Sequence, residues 1–270
     1  MTLQAHSRSP AAVAGMLLQP LRFALMHLYP VALLLAAWEA SVAAGLVKKI
    51  LLPAPSAVFA RLFELLQTAA FLDHIAQTLV RLFAGLGIAT ALGLAVGLAA
   101  ANSRIGGRML EPLVRILAPI PKIALYPALI LILGFEHASK IALVAADAVF
   151  PILFATYHGA RMVERKLLWS ARAAGTSPAA CVYKIVLPAA LPSILTGFRI
   201  ALVISCVVVF LAEMISSTDG LGHLLIRAAR SFRTVDMFVP LVTISLLGLL
   251  LNALVAAGRR QLLAGYGEAQ

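Results

Sequence analysis

Charged side chains are scarce in this sequence of 270 residues: Asp, Glu, Lys and Arg together make up 12%, whereas soluble domains carry about 25%. Hydrophobic residues reach 62%, and the mean hydropathy is +0.98. Aromatic residues are also few, at 7%, and they are not interleaved with the basic ones. This pattern excludes an ordinary soluble domain and argues against a nucleic-acid-binding role, even though the net charge is +11. The composition indicates a protein that spans a membrane several times.

Cysteines and catalytic motifs are equally sparse. The two cysteines, Cys181 and Cys206, imply no disulfide or metal framework. The sequence contains no P-loop of the form G-x-x-x-x-G-K-[ST], no H-E-x-x-H and no G-x-S-x-G. We therefore expect a non-enzymatic chain that has no bound metal or cofactor and cannot hydrolyse ATP by itself.

Six apolar windows are long enough to cross about 30 Å of hydrocarbon as helices. They are residues 23–45, 79–101, 113–134, 141–158, 194–215 and 237–257. The sequence thus predicts an all-α, polytopic membrane protein with about six transmembrane helices. The first window carries Glu39 and no clear cleavage site, which favours a retained helix over a signal peptide.

The distribution of basic residues predicts the orientation, because Lys and Arg near span ends stay on the cytoplasmic side. Placing both termini inside puts more than half of the 22 lysines and arginines in the cytoplasm. The predicted organisation is a cytoplasmic segment at 1–22, a membrane domain at 23–257 with a cytoplasmic loop at 161–192, and a cytoplasmic tail at 258–270. We expect a multi-pass membrane protein surrounded by lipid.

Prolines and ionisable residues mark candidate positions along a translocation path. Pro119, Pro121 and Pro127 interrupt the third window, and irregular backbone at membrane depth is tolerated only against protein or water. Ionisable residues within spans are costly and default to functional candidates. The candidates for the path are Pro121, Pro127, Asp147 and Glu213. For each a structural alternative stays open: a kinked packing helix, a buried Asp147–Lys122 pair, or a Glu213 side chain that reaches the interface.

Small residues at a spacing of four form two ladders in the second window, and such ladders let helices approach closely in lipid. The first contains Gly85, Ala89, Gly93, Gly97 and Ala101, and the second contains Gly87, Ala91, Ala95 and Ala99. The sequence predicts that this helix is central in the bundle.

The most patterned segment is the basic loop at 161–192. Val163, Leu167, Ala171 and Ala174 form a helical stripe, and Gly175 is a natural helix terminator. Ser177 and Pro178 predict the start of a second short helix that ends at Leu187-Pro188. Two short helices meeting at a glycine predict a compact projection that enters a partner's groove. An amphipathic hairpin lying on lipid is the alternative.

This loop resembles the cytoplasmic loop of permease subunits of ATP-binding-cassette importers, whose hallmark is Glu-Ala-Ala, three residues, Gly, nine residues, Ile-x-Leu-Pro. Gly175, Ile185, Leu187 and Pro188 match at the family's spacing, whereas Trp169 and Ser170 replace its Glu and Ala. Further pieces between residues 50 and 260 resemble the branch that transports nitrate, sulfonate and taurine. They are Leu52-Pro53-Ala54-Pro55-Ser56, Ile120-Pro121, Tyr126-Pro127, Phe150-Pro151-Ile152-Leu153 and Glu213-Met214-Ile215 with Gly220-Leu221-Gly222.

The resemblance implies a type I importer permease fold in the bacterial inner membrane. It also implies three kinds of partner: a second permease chain forming a homodimer, separate ATPase subunits that bind the ATP, and an external or lipid-anchored substrate-binding protein. It implies ATPase coupling through Ala171, Arg172, Ala174, Gly175, Thr176, Ile185, Leu187 and Pro188. The expected function is import of a small, anionic solute such as a sulfonate, taurine or nitrate. A secondary transporter and a membrane scaffold are the alternatives.

One basic cluster lies outside this loop. Arg227, Arg230 and Arg233 are expected on one side of a short external helix, where they would meet acidic lobes of a binding protein, attract an anionic substrate or simply face solvent.

Overall fold

The computed structural model describes residues 29–48 and 50–263, with the backbone alone at residue 104. These residues form helices and short connections, and no β-strand occurs among them. The α-helices are α1 (Tyr29–Ala43), α2 (Pro55–Leu66), α3 (Ala69–Asn102), α4 (Arg104–Leu117), α5 (Tyr126–Leu133), α6 (His137–Arg161), α7 (Arg165–Ala173), α8 (Pro178–Cys181), α9 (Leu187–Ile215), α10 (Leu221–Arg230) and α11 (Thr234–Leu263).

Four helical stretches in the described ranges are long and apolar enough to cross a membrane: Ala69–Asn102, His137–Arg161, Pro178–Ile215 and Thr234–Leu263. Each contains one predicted window and extends beyond it. α4 and α5 add a fifth crossing if they are counted as one bent span. The first predicted window, 23–45, begins outside the described residues, and its described part contains the shorter apolar helix α1.

The third predicted window is broken at its prolines, as the sequence predicts. α4 ends at Leu117, and a 3₁₀ turn, Lys122–Leu125, leads into α5 with a bend of 80° between the two arms. Pro121 precedes the 3₁₀ turn, and Pro127 lies in the first turn of α5, where its missing N–H costs nothing. The prolines therefore divide the window into two short helices.

Contacts divide the chain into two units, residues up to Arg61 and residues from Leu62 onward. In the first unit, α2 begins at Pro55. The Ser56 hydroxyl and amide donate to the two carboxylate oxygens of Glu39, at 2.7 and 3.0 Å. A carboxylate at a helix N-terminus is favoured by the helix dipole.

In the second unit, α6 packs between α3 and α9 and forms the centre of the core. The prediction that α3 is the central helix is wrong, because α6 takes that position. The first small-residue ladder of α3 contacts α6: a Cβ atom added at Gly93 would lie 2.9 Å from Ile152 Cγ2, and one at Gly97 would lie 2.7 Å from Thr156 Cβ. The second ladder is exposed, and a Cβ atom at Gly87 would meet nothing within 4 Å. One face of α3 is thus shaped for close packing in lipid.

The second unit has two ends that matter for function. At the α7 end, the last turns of α3 and α6 meet the first turns of α4 and α9, with Gly107 against Tyr157 and Gly159 against Ser193. At the opposite end, called the α10 end below, the first turns of α3 and α6 meet the last turn of α9 and the start of α10.

Candidate functional site

The predicted helix terminator at Gly175 is confirmed. Gly175 has a φ of +82°, in the left-handed region that favours glycine. Its amide donates to the carbonyl of Arg172, and the Thr176 amide donates to the carbonyl of Ala171, both at 3.0 Å. This pair of bonds is a Schellman motif, which satisfies the last carbonyls of α7 and turns the chain sharply.

The second predicted helix starts where the sequence places it. The Ser177 hydroxyl accepts a hydrogen bond from the Ala180 amide at 3.3 Å, and Pro178 occupies the first turn of α8. The prediction that Leu187-Pro188 ends this helix is wrong. A π-helical segment, Val182–Val186, which contains Ile185, joins α8 to α9, and the run from Pro178 to Ile215 is one helix of 38 residues. The wider π turn relieves the clash between the Pro188 ring and the preceding turn, so the chain remains helical.

The surface of α7 is open to a partner. None of its residues is buried, and the side chains of Leu167 and Trp169 are 53% and 63% exposed. Arg172, Ala174 and Gly175 are exposed as well. Within the described part of the chain, this short helix leaves apolar and basic side chains exposed and so presents an unpartnered surface.

At the α10 end, Glu213 is at the centre of a buried charge cluster. It is 1% exposed, and its carboxylate accepts hydrogen bonds from Arg81 Nη1 at 2.7 Å, Thr78 Oγ1 at 2.9 Å and the Gly222 amide at 3.1 Å. The alternative that Glu213 reaches the membrane interface is therefore wrong. These three hydrogen bonds, one of which is also an ion pair, compensate for the burial of this charge.

Arg81 is the residue of this cluster that the sequence analysis missed. Its side chain is 2% exposed, and it pairs with both Glu213 and Asp219. Arg81 Nε also donates to His137 Nδ1 at 3.2 Å. A charge inside the predicted second window was the available signal, because an intramembrane arginine requires a partner.

Asp219 lies in the turn after α9, and Arg81 determines its protonation. Partial burial acts to raise the pKa of Asp219, but the Arg81 hydrogen bond and charge outweigh it and hold that pKa below its ordinary value. The carboxylate is therefore charged across the neutral range and keeps Arg81 doubly paired.

Asp147 and Lys122 form the pair that the sequence left open as an alternative. Lys122 Nζ lies 3.4 Å from Asp147 Oδ1, donates to the Ala118 carbonyl at 2.7 Å and sits 4.4 Å from the centre of the Phe150 ring. Lys122 follows Pro121, so the pair connects the broken segment to α6. Pro121 and Asp147 are thus brought together, whereas Glu213 belongs to the Arg81 cluster.

The arginines of α9, α10 and the turn after α10 have more limited contacts. Arg199 Nε donates to Asn252 Oδ1 at 2.6 Å and links α9 to α11. Arg227 and Arg230 lie on α10, as expected, but Arg233 follows the end of that helix and pairs with Asp236. In the described ranges, no group of three or more His, Cys, Asp or Glu side chains could hold a metal ion.

Residues 90–263, more than half of the chain, match the family described as the binding-protein-dependent transport system inner membrane component. The chain belongs to this family. It is therefore a multi-pass component of the inner membrane and the permease subunit of an ATP-driven importer.

Several curated relatives cover most of the permease. The putative aliphatic sulfonates transport permease protein SsuC of Bacillus subtilis (strain 168) is 31% identical, over 86% of this chain and 84% of its own. The taurine transport system permease protein TauC of Escherichia coli (strain K12) is 29% identical, over 88% and 89%. The formylaminopyrimidine transport permease protein ThiX of Halalkalibacterium halodurans is 30% identical, over 86% and 90%.

The fold of the permease is that of a type I importer permease. A solved structure described as an inward-facing conformation of the MetNI methionine ABC transporter aligns with a TM-score of 0.63 and 22% identity, over 72% of this chain and 96% of that chain. Membership of the family implies two kinds of partner, an ATPase and a substrate-binding protein, and leaves ATP hydrolysis outside the permease.

Proposed function

We propose that α7 and the turn at Gly175 are the surface through which a separate ATPase subunit drives this permease. Ala171, Arg172, Ala174, Gly175 and Thr176 would contact the ATPase directly. Ile185, Leu187 and Pro188 would hold the projection on the membrane domain, since they lie where the π-helical segment passes into α9. ATP would bind to the partner alone, and the permease would need no cofactor.

The exposure of α7 is the observation that carries this proposal. The described residues bury none of the side chains of this nine-residue helix, and Trp169 is 63% exposed, so its apolar surface favours a partner. The Schellman motif at Gly175 fixes the angle between α7 and α8, and a fixed angle suits a surface that must transmit force.

We also propose the orientation that the basic residues predict. Residues 1–22, 161–192 and 258–270 would be cytoplasmic, with 23–257 as the membrane domain; residues 1–28 and 264–270 lie outside the described ranges. The α7 end would then face the cytoplasm and the α10 end the exterior. Two copies of this chain would form the pathway within the lipid bilayer.

For the pathway itself, we propose the broken segment at Pro121 and Pro127 together with Asp147, whose side chain is 28% exposed. The bend of 80° beside this segment supports a water-lined region, because non-helical backbone in a membrane needs protein or water around it. Glu213 would contribute by holding the outer end of the pathway together through Arg81.

For the substrate, we propose a small organic anion of the sulfonate class, with taurine included. The names of SsuC and TauC support this choice, and ThiX extends the range of related substrates to a formylaminopyrimidine. Support for nitrate as a substrate comes only from the sequence resemblance described above.

The coupling proposal is tested by Gly175→Val, with Gly175→Asn as the matched control. A Cβ atom at Gly175 would meet nothing within 4 Å, so the substitution strains the backbone without a clash. A left-handed conformation costs an ordinary residue roughly 1–2 kcal/mol, whereas asparagine adopts it more readily. We expect Gly175→Val to insert normally but to lose ATPase co-purification and uptake, and Gly175→Asn to retain most of both. Unchanged uptake in the valine variant would overturn the proposal.

A further inference from the structure

A cavity of about 840 Å³ opens at the α10 end of the permease. Its walls come from the start of α6, the turn after α9 and one side of α10. The cationic lining side chains are Arg81, Lys140, Arg227 and Arg230, and the carboxylates are Glu136 and Asp219. Its volume is in the range of about 300–1,000 Å³ that is typical of pockets for small ligands.

Arg227 and Arg230 are the available cations of this cavity. They lie three residues apart on α10, so their side chains share one face of that helix. Both are exposed, and among the described residues neither has a carboxylate within 4 Å. Their guanidinium groups are therefore free to donate to a ligand.

Lys140 contributes a second, deeper donor. It is 1% exposed, and its Nζ donates to the carbonyls of Phe135 and Glu136, the latter at 2.9 Å. An ammonium group has three N–H donors, so one donor is left for a ligand in the cavity. Among the described residues no carboxylate pairs with Lys140, which leaves its charge uncompensated by an ion pair.

Of the remaining charged groups of the wall, Arg81 and Asp219 are paired with each other. Arg81 is held between Glu213 and Asp219 and is not free to move toward a ligand. Glu136 is an exposed carboxylate at the rim. The free donors of the cavity are thus cationic, and they lie on two sides, with Lys140 on α6 and the two arginines on α10.

We propose that this cavity is a binding site on the permease itself for a small organic oxyanion of the sulfonate class. The inference rests on the proposed function and orientation, under which the cavity faces the exterior and receives the anion first. A sulfonate has three acceptor oxygens, which suit the forked donors of arginine and the single remaining donor of Lys140. An acidic surface of a binding protein fits less well, because Lys140 is buried within a concave wall that a protein surface cannot enter.

The test is equilibrium dialysis of labelled methanesulfonate against the purified permease–ATPase complex without any binding protein. If the permease and the ATPase do not form a complex, the same dialysis is run on the permease alone in detergent. A failure of the coupling proposal is then distinguished from a failure of the anion site. Two variants are compared with the wild type: a double arginine variant that carries Arg227→Gln and Arg230→Gln, and the single variant Lys140→Gln. Arg233→Gln is the matched control, because Arg233 already pairs with Asp236 and does not line the cavity.

We expect the wild type to bind methanesulfonate but not its neutral analogue dimethyl sulfone. Binding should weaken about tenfold or more in the double arginine variant, since each lost charged hydrogen bond is substantial. The Arg233→Gln variant should bind as the wild type does. Equal binding in the double variant, or no binding in the wild type, overturns the site. A different outcome is that the double arginine variant binds methanesulfonate as the wild type does but needs a higher concentration of binding protein for half-maximal stimulation of ATP hydrolysis. In that case the arginines form a protein-docking surface and the proposal is wrong.

Discussion

Replacing Glu213 by glutamine is expected to destabilise the membrane domain strongly, although the side chain keeps its size. The carboxylate accepts from Arg81, Thr78 and the Gly222 amide. A glutamine amide that turns its oxygen toward Arg81 points its NH₂ group at the Gly222 N–H, so a buried donor loses its acceptor. Arg81 retains a single carboxylate, that of Asp219.

The magnitude follows from the burial of the cluster. Removing one partner of a buried ion pair costs about 3–5 kcal/mol, and the remaining Asp219 contact places this case near the lower end, at about 3 kcal/mol. The double variant Arg81→Met with Glu213→Leu removes both charges. Apolar replacements of a buried pair are often neutral. We therefore expect the loss of unfolding free energy in the double variant to be smaller, by about 2 kcal/mol or more, than the sum of the losses in Arg81→Met alone and Glu213→Leu alone.

The assay is reversible unfolding in mixed micelles, with the free energy of unfolding measured for the wild type, Glu213→Gln, Arg81→Met, Glu213→Leu and the double variant. Glu136→Gln serves as the control, since Glu136 is exposed and should change stability by less than about 0.5 kcal/mol. A Glu213→Gln variant as stable as this control, or strictly additive effects in the double variant, would refute the reasoning.

Two further predictions concern the α10 end and the α3–α6 contact. Because the folded pKa of Asp219 is depressed, its stabilisation is present above its ordinary value near 3.8 and is lost as the pH falls through the folded pKa. An Asp219→Asn variant should therefore lose this acid-side slope in pH-dependent unfolding, and an unchanged slope contradicts the assignment. Gly97→Leu should destabilise the domain by about 1–3 kcal/mol, because an added Cβ atom would lie 2.7 Å from Thr156 Cβ. Gly87 has open space around it, so Gly87→Leu should leave the free energy of unfolding nearly unchanged in the same micelle assay.

Hydropathy located the membrane helices but underestimated their length. α3 begins ten residues before the window predicted at 79–101, and the added first turns contain His74 and Thr78. These polar side chains are compatible with a buried helix because each has a partner: His74 Nδ1 accepts from the Gly220 amide, and Thr78 donates to Glu213. A hydropathy average over a window includes the polarity of each side chain but takes no account of the hydrogen-bond partner that compensates for it.

Local rules succeeded where the determining interactions lie close in sequence. The terminator at Gly175 and the Ser177 cap depend on bonds within five residues, and both were predictable. The end predicted at Pro188 failed, because a π turn accommodates the proline ring. The Arg81–Glu213 pair joins residues 132 positions apart, a pairing that no single-sequence pattern specifies.

The unbroken run from Pro178 to Ile215 has a mechanical consequence. At 1.5 Å per residue, its 38 residues extend for about 57 Å, and Glu213 lies two residues before its far end. Over a lever of that length, a tilt of about 5° displaces the far end by about 5 Å, which is larger than any hydrogen bond in the Arg81 cluster. If the proposed coupling surface tilts the helix by that angle, the displacement at the opposite end is therefore large enough to break or remake an ion pair.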